Sequence, residues 1–501
     1  MPNTMTFNGF SYAGHWQKIT LLLLSMVSVC WFFADTEVIA LEPWIELARM
    51  GQGFIHPDFF ATEYLLEALW QTISFALLGI TFGLILGFPL ALFYQHPLIA
   101  AMCAFIRAIH EIFWALIFLQ IFGLSAITGI LAIGLPYAAT FARVFSDILQ
   151  QAPKHTSFLL PEGTDKLSAF IYGRWMHMYP LIIDYIRYRF ECALRSSAVL
   201  GFIGMPTLGF YLETAFRQGH YQQGGALLIL FVLLIGSIRF WAKPLLLWLY
   251  LPLAVYFLPP IPPIDGQLIW RFLSVDIFPP MLQGQPFLNW FDTATLSKLF
   301  NWVYQLISQQ VFPGMIATLV LASCALGLTY ILTLVLLPFN SRLMMPKVIL
   351  LFMRTLNLIL RSLPEYLLAF VLMMLLGPSM LPAIIALALH NSGLMLFLMA
   401  RQADSLKVPL TYKPRIDQYS YVVIPKLYPH FMGLLFYRFE VIIRETAILG
   451  MIGVMTLGFY VDSNFSEIRF SGALLLLVFT AGLNVLVDYI ARRSLYSSAK
   501  R

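Results

Sequence analysis

Tyr188-Arg189-Phe190-Glu191 opens a stretch that runs through Arg195, Ala198, Leu200-Gly201, Ile203-Gly204 and Thr207-Leu208-Gly209 to Phe210-Tyr211. The chain writes it again, from Tyr437-Arg438-Phe439-Glu440 through Arg444, Ala447, Leu449-Gly450, Ile452-Gly453 and Thr456-Leu457-Gly458 to Phe459-Tyr460. The offset is a constant 249 residues, and 15 of the 24 positions are identical. Lipid asks a helix only for apolar character, so shared hydrophobicity does not produce the same Arg, Glu, Gly and Thr at the same spacing. The stretch reads as a duplicated functional segment.

The duplication reaches further. Arg107-Ala108-Ile109-His110-Glu111 pairs with Arg361-Ser362-Leu363-Pro364-Glu365 at an offset of 254, and Ala115 and Gly123 then match Ala369 and Gly377. Thr72 matches Thr318 in the segment before. The repeats are read as 1–243 and 244–501, each spanning at least five helices.

Among 501 residues, 60% are hydrophobic and 11% charged, and the mean hydropathy is +0.79. A soluble globular chain is excluded, and an all-α polytopic membrane protein is expected. Spanning helices need about 20 mostly apolar residues. Candidates are 19–38, 67–94, 99–122, 126–149, 183–206, 223–241, 244–259, 313–338, 348–376, 379–400, 431–455 and 471–491. That makes twelve, in two parallel sets of six. The run from Ile19 to Phe33 has no clean cleavage pattern after it and is expected to stay as a first span.

The net charge of +6 reads as topology rather than nucleic-acid binding. Arg239, Lys243, Arg342, Lys347, Arg401 and Lys426 fall on one side with the polar, basic loops 150–180 and 401–429. Opposite loops hold only Arg49, Arg217, Arg271, Lys298 and Arg469. Since Lys and Arg resist translocation, the first side and both termini are expected to be cytoplasmic.

No phosphate loop, His-Glu-x-x-His, Gly-x-Ser-x-Gly or Gly-x-Gly-x-x-Gly is present, so an enzyme is not expected. The four cysteines have no Cys-x-x-Cys spacing, and no metal site or cofactor is expected. His110 and His390 lie in apolar runs and read as packing or cavity residues.

Charges inside apolar segments are more informative, because each costs roughly 2.5–3.5 kcal/mol at mid-helix for Arg or Asp. Glu191 and Arg195 are four apart, as are Glu440 and Arg444, Arg107 and Glu111, and Arg361 and Glu365. Two readings stand. The pairs are salt bridges holding helices in register, or the arginines line a pathway and offer charge-assisted bonds to an anion. Gly201, Gly204, Gly209, Gly450, Gly453 and Gly458 serve close packing or a gate. Thr207 and Thr456 offer hydroxyls to a substrate or cap a helix.

These residues resemble the phosphonate-type permease of bacterial ABC importers. The likeness rests on Tyr-Arg-Phe-Glu, Arg, Ala-x-Leu-Gly-x-Ile-Gly and Leu-Gly, and on Arg361 to Glu365 and, more loosely, Arg107 to Phe118 with Trp114-Ala115. It covers most of each half, so the chain looks like two such permeases fused head to tail. The resemblance implies the type I ABC importer permease fold in a bacterial inner membrane. It also implies two cytoplasmic ABC ATPase subunits, a periplasmic substrate-binding protein and a phosphorus oxyanion as cargo: phosphonate, phosphite or phosphate. No nucleic acid is implied, and membrane lipid is the surrounding partner. The family's ATPase-coupling loop matches Gly163, Tyr172 and Pro180 in one half and Tyr421, Pro425 and Pro429 in the other. Tyr412 and Met176 stand where the family has Gly and Pro, and neither loop has its Glu.

An ion-coupled secondary carrier of an anionic solute is the alternative, since two parallel six-helix halves also describe that architecture. The loop Gln95–Leu98 lacks the Gly-x-x-x-Asp-Arg-type signature of such carriers.

Overall fold

The computed structural model describes residues 8–40, 42–151, 164, 165, 168, 169, 171–243, 246–259, 261, 263–406 and 415–499. All regular structure among them is helical. Gly163 and the centres of both polar loops, 152–163 and 407–414, lie outside the described residues.

Among the described residues, six helices are long and apolar enough to cross a membrane: Trp16–Phe33, Leu65–Leu92, Ala126–Gln150, Thr293–Asn340, Met380–Ser405 and Phe470–Ile490. Three bent pairs raise the number to nine. The chain is therefore a multi-pass membrane protein. Tyr221–Gly236 and Leu247–Tyr256 are too short for that test, and Ile424–Met451 carries Lys426, Arg438, Glu440, Arg444 and Glu445.

Two expected spans are not straight. Pro97–Ala108 and Glu111–Phe122 meet at 93°, and Lys347–Ser362 and Glu365–Leu376 at 96°. At the second break Leu363 and Pro364 are extended, at ψ 127 and 139°. Pro364 excludes the helical conformation from the residue before it. At the first break His110 does a different job: its Nδ1 accepts the Ile112 N–H at 3.2 Å and caps the new helix. Arg107–Glu111 and Arg361–Glu365 thus straddle bends, and the expectation that they sit four apart on one helix is corrected. Glu191–Arg195 and Glu440–Arg444 do lie on continuous helices, Met176–Val199 and Ile424–Met451.

The chain divides into two compact units, Ala48–Phe278 and Met1–Leu47 with Pro279–Arg501. In the first, Leu65–Leu92 packs along Ala126–Gln151. Gly79, Gly83 and Gly87 recur every fourth residue on the contact face. A Cβ at Gly87 would stand 2.7 Å from the Ala138 carbonyl oxygen, and one at Gly79 2.7 Å from Ile133 Cγ2. Small residues at this spacing let two backbones approach where lipid gives no hydrophobic drive. Leu247–Tyr256 packs on the same helix, with Phe257 stacked on Trp70 at 5.2 Å.

In the other unit, Asn8–Phe33 packs on Phe312–Asn340, with Val27 against Gly327. Thr20 Oγ1 is hydrogen-bonded to the Tyr428 hydroxyl, which is 3.2 Å from Tyr330 Oη. A strap follows the helix: the Ile39 N–H donates to Leu376 O at 2.9 Å and the Met380 N–H to Asp35 O at 3.0 Å. Asp404, at the edge of loop 401–429, accepts from Arg354 Nη2 at 2.6 Å and from the Arg342 N–H at 2.8 Å. The loop therefore leaves from a pinned helix end.

Candidate functional site

Each copy of the repeated stretch folds into a long helix, a tight turn and a second helix, with a bend of 52° between Met178–Ile203 and Leu208–Arg217 in the first copy. In the Ala48–Phe278 unit, Met176–Val199 runs through the short turn Leu200–Ile203, and Leu208–Arg217 follows. In the other unit, Ile424–Met451 is followed by Leu457–Ser466. Gly204 and Gly453 take φ of +93 and +107°, the left-handed stop that favours glycine. Beyond it the backbone comes back onto itself. A Cβ on Gly209 would collide with the Ala198 carbonyl, and one on Gly458 with the Ala447 carbonyl. Gly201 and Gly450 meet Gly209 and Gly458 in the same crossings.

Thr207 and Thr456 occupy the N-cap positions of the second helices, and both are fully buried. Neither side chain caps its own helix; Thr456 Oγ1 donates to Thr446 O at 3.2 Å. The orphan N–H groups are met from elsewhere. Thr72 Oγ1 accepts the Leu208 N–H at 2.9 Å, and Thr318 Oγ1 accepts the Leu457 N–H at 3.0 Å. The sequence pairing of Thr72 with Thr318 was the one signal for this contact.

Both repeats also gather polar side chains beside the bend. In the Ala48–Phe278 unit, Glu111 begins its helix with Oε1 2.6 Å from the donating Ser196 hydroxyl. His110 Nε2 lies 3.6 Å from Glu111 Oε2. Ser196 in turn is 3.4 Å from the buried Tyr137 hydroxyl. Arg189 stands over the rings of Tyr185, Tyr137 and Tyr188 at 5.2, 5.8 and 5.6 Å, and its Nε donates to Tyr185 Oη at 2.7 Å. Arg189 was in the quoted stretch but was not singled out, because a motif does not reveal an aromatic cage.

The other unit builds a different group at the same place. Glu365 begins its helix, His390 Nε2 stands 3.7 Å from Glu365 Oε2, and Asn391 Nδ2 donates to Glu445 Oε2 at 3.0 Å. The ligand atoms of Glu365, His390 and Glu445 all lie within 4.8 Å of one another. No sequence motif points to Asn391 or Glu445, and His390 reads from the sequence as a packing or cavity residue. Glu445 falls within the quoted stretch, at one of its mismatches: it pairs with Ser196.

The candidate arginines are placed as follows. Arg195, half-buried, points Nη2 at Cys192 Sγ at 3.3 Å. Arg361 stacks on Phe397 at 4.0 Å, with Arg401 at 4.1 Å from the same ring. Arg107 ends the helix Pro97–Ala108 close enough to Tyr94, in the loop before it, to act on its phenol. Burial holds the Tyr94 phenol above its ordinary range, against the opposing pull of Arg107 and Arg143. Glu191, Glu440 and Arg444 are half-buried on the long helices.

At the helix starts Tyr172 is 66% and Tyr421 75% exposed. Each sits in a five-residue π turn, Ile171–Trp175 or Tyr419–Val423, that leads into the long helix. Pro180 and Pro425 are exposed and Pro429 half-buried in the first turns that follow.

No family profile matches the chain, and no solved structure matches it. Curated relatives do. The chain is 24% identical to the phosphate-import permease protein PhnE of Mycolicibacterium smegmatis over 452 residues, 82% of this chain and 81% of that one. It is 22% identical to the phosphite transport system permease protein PtxC of Stutzerimonas stutzeri, over 44% of this chain and 86% of the relative. It is 32% identical over 107 residues to the "Putative cryptic phosphonate transport system permease protein PhnE2" of Escherichia coli K12, 88% of which is covered. With this identity and coverage, the chain belongs to the family of phosphonate transport system permeases.

Proposed function

We propose that this permease is the transmembrane subunit of an ATP-driven importer that moves a phosphorus oxyanion across the bacterial inner membrane. The observation that carries the reading is the pair of matching crossings, each joined to a helix bearing a Glu–Arg pair, in a member of this permease family. The relatives are named for phosphate, phosphite and phosphonate transport. Guanidinium groups suit such cargo, since they bind phosphate-type oxygens through paired charge-assisted bonds.

In this reading 1–243 and 244–501 are two permease units in tandem, with twelve spans and both termini cytoplasmic. The phosphite relative supports it, because 86% of that protein is matched by less than half of this chain. Arg107, Arg195, Arg361 and Arg444 brace or line the pathway, with Glu111, Glu191, Glu365 and Glu440 as counter-charges. Two ATPase subunits dock on loops 150–180 and 401–429, and a periplasmic binding protein delivers the cargo. The permease itself performs no catalytic step.

The test is uptake into proteoliposomes holding the permease, with its ATPase and binding protein, against a panel of phosphonates, phosphite and phosphate. ATP-dependent and binding-protein-dependent uptake of one of these is expected. Uptake that proceeds without ATP would overturn the reading.

A further inference from the structure

His390 and His110 stand beside their respective glutamates in opposite tautomers. His110 Nδ1 accepts the Ile112 N–H, so the ring hydrogen sits on Nε2 and faces Glu111. His390 Nδ1 lies 2.8 Å from the Leu363 carbonyl oxygen, which only accepts. The ring therefore donates there, and in the neutral imidazole it turns the Nε2 lone pair toward Glu365 Oε2. A backbone carbonyl holding one ring nitrogen is how proteins aim the other at a metal.

Glu365, His390 and Glu445 come from three separate helices, Glu365–Leu376, Met380–Ser405 and Ile424–Met451. Two carboxylates and an imidazole nitrogen within 4.8 Å of one another form a donor set that suits a cation. Asn391, 0% exposed, holds the Glu445 carboxylate in place: its Nδ2 donates to Glu445 Oε2 at 3.0 Å and to Leu387 O at 2.9 Å, and its buried Oδ1 has no hydrogen-bond partner. An amide that orients a carboxylate in this way supports it as a metal ligand.

The geometry points to a divalent transition-metal site formed by Glu365, His390 and Glu445, with Asn391 orienting the Glu445 carboxylate. Imidazole with carboxylate oxygens suits zinc, cobalt or iron(II) better than magnesium or calcium, which take oxygen shells. Bonds of about 2.0–2.1 Å place tetrahedral ligand atoms roughly 3.3 Å apart. The ligand atoms here lie within 4.8 Å of one another, so the carboxylates would turn inward on binding. Ala126–Gln151 and Met380–Ser405 are both 26 residues long and related by the same offset of 254. On that register Pro136 stands for His390, Tyr137 for Asn391 and, by the 249 offset, Ser196 for Glu445. The site therefore belongs to one repeat alone.

The full-length permease, purified in detergent, is stripped with EDTA and titrated with Co2+, with the metal counted by mass spectrometry and read optically. Stoichiometric Co2+ is expected, with visible bands that Zn2+ extinguishes. Glu445→Ser, which copies the residue of the other repeat, and His390→Asn should each lower Co2+ affinity about tenfold or more. The Tm of each variant in EDTA, measured beside the wild type, separates loss of the metal from loss of the fold. A wild-type protein that takes up no Co2+ at any pH, so that the group holds protons only, overturns the site. So does Co2+ binding that is unchanged in whichever of the two variants folds.

Discussion

Thr72 receives the backbone N–H of Leu208 at 2.9 Å across 136 residues of chain. The hydroxyl also donates to Ala68 O at 2.7 Å, so it has one lone pair committed outward and its hydrogen committed inward. Thr318 meets Leu457 in the same way in the other unit. One helix thus supplies the missing cap of another.

Thr72→Val and Thr318→Val keep the shape and remove the acceptor. Each leaves a buried N–H unmet, which costs about 1–3 kcal/mol. Thermal unfolding of the purified permease should show a lower Tm for each, and Thr→Ser should restore it. Equal Tm values for Val and Ser would deny the cap.

Gly209→Ala and Gly458→Ala drive a methyl into a carbonyl oxygen at the crossing. Overpacking of this kind costs typically ~1–3 kcal/mol, and backbone is slow to give way. Low yield or lost uptake is expected for both. Gly433, with nothing within 4 Å of its Cβ position, is the control. Gly433→Ala should hold the Tm or raise it, through a gain of up to about 0.4–1 kcal/mol in stability.

Arg195→Ala with Arg444→Ala removes the pair of arginines borne by the repeated helices. If they bind the cargo, loss of charge-assisted bonds of roughly 1.5–3 kcal/mol each raises KM at least about tenfold. Uptake kinetics of an assembled double variant decide it. An unchanged KM would take both residues out of the pathway.

Tyr172→Ala and Tyr421→Ala clear exposed rings from the two π turns. Co-purification of the ATPase with the permease should fall for each and most for the double variant, while the Tm stays put. Undiminished co-purification would place ATPase docking elsewhere on loops 150–180 and 401–429.

Much of this architecture was legible in the sequence. The repeated stretch marked the crossings, and the glycine spacing marked where two backbones meet. Pairing Thr72 with Thr318 picked out the cap without revealing it. The first bend was hidden, since Ile109 and His110 are as compatible with helix as with extended chain until the rest of the fold selects, whereas Pro364 does mark the second in the sequence. The Glu365–His390–Glu445 group was hidden for another reason. Its members are spread over 81 residues, counting from 365 to 445, and only helix packing joins them. Within the motif the telling position was a mismatch, Ser196 against Glu445, whereas identity drew the attention.

The contact of Val27 with Gly327 also sets an order of events during synthesis. The ribosome must add 300 residues after Val27 before Gly327 exists. At roughly 5–20 residues per second that is about 15–60 s. Through that interval the first helix waits without its final partner, and the whole of Ala48–Phe278 is made in between. Lipid or the insertion machinery must hold it. Slowed translation between residues 33 and 312 should therefore lengthen the period in which this helix is open to degradation.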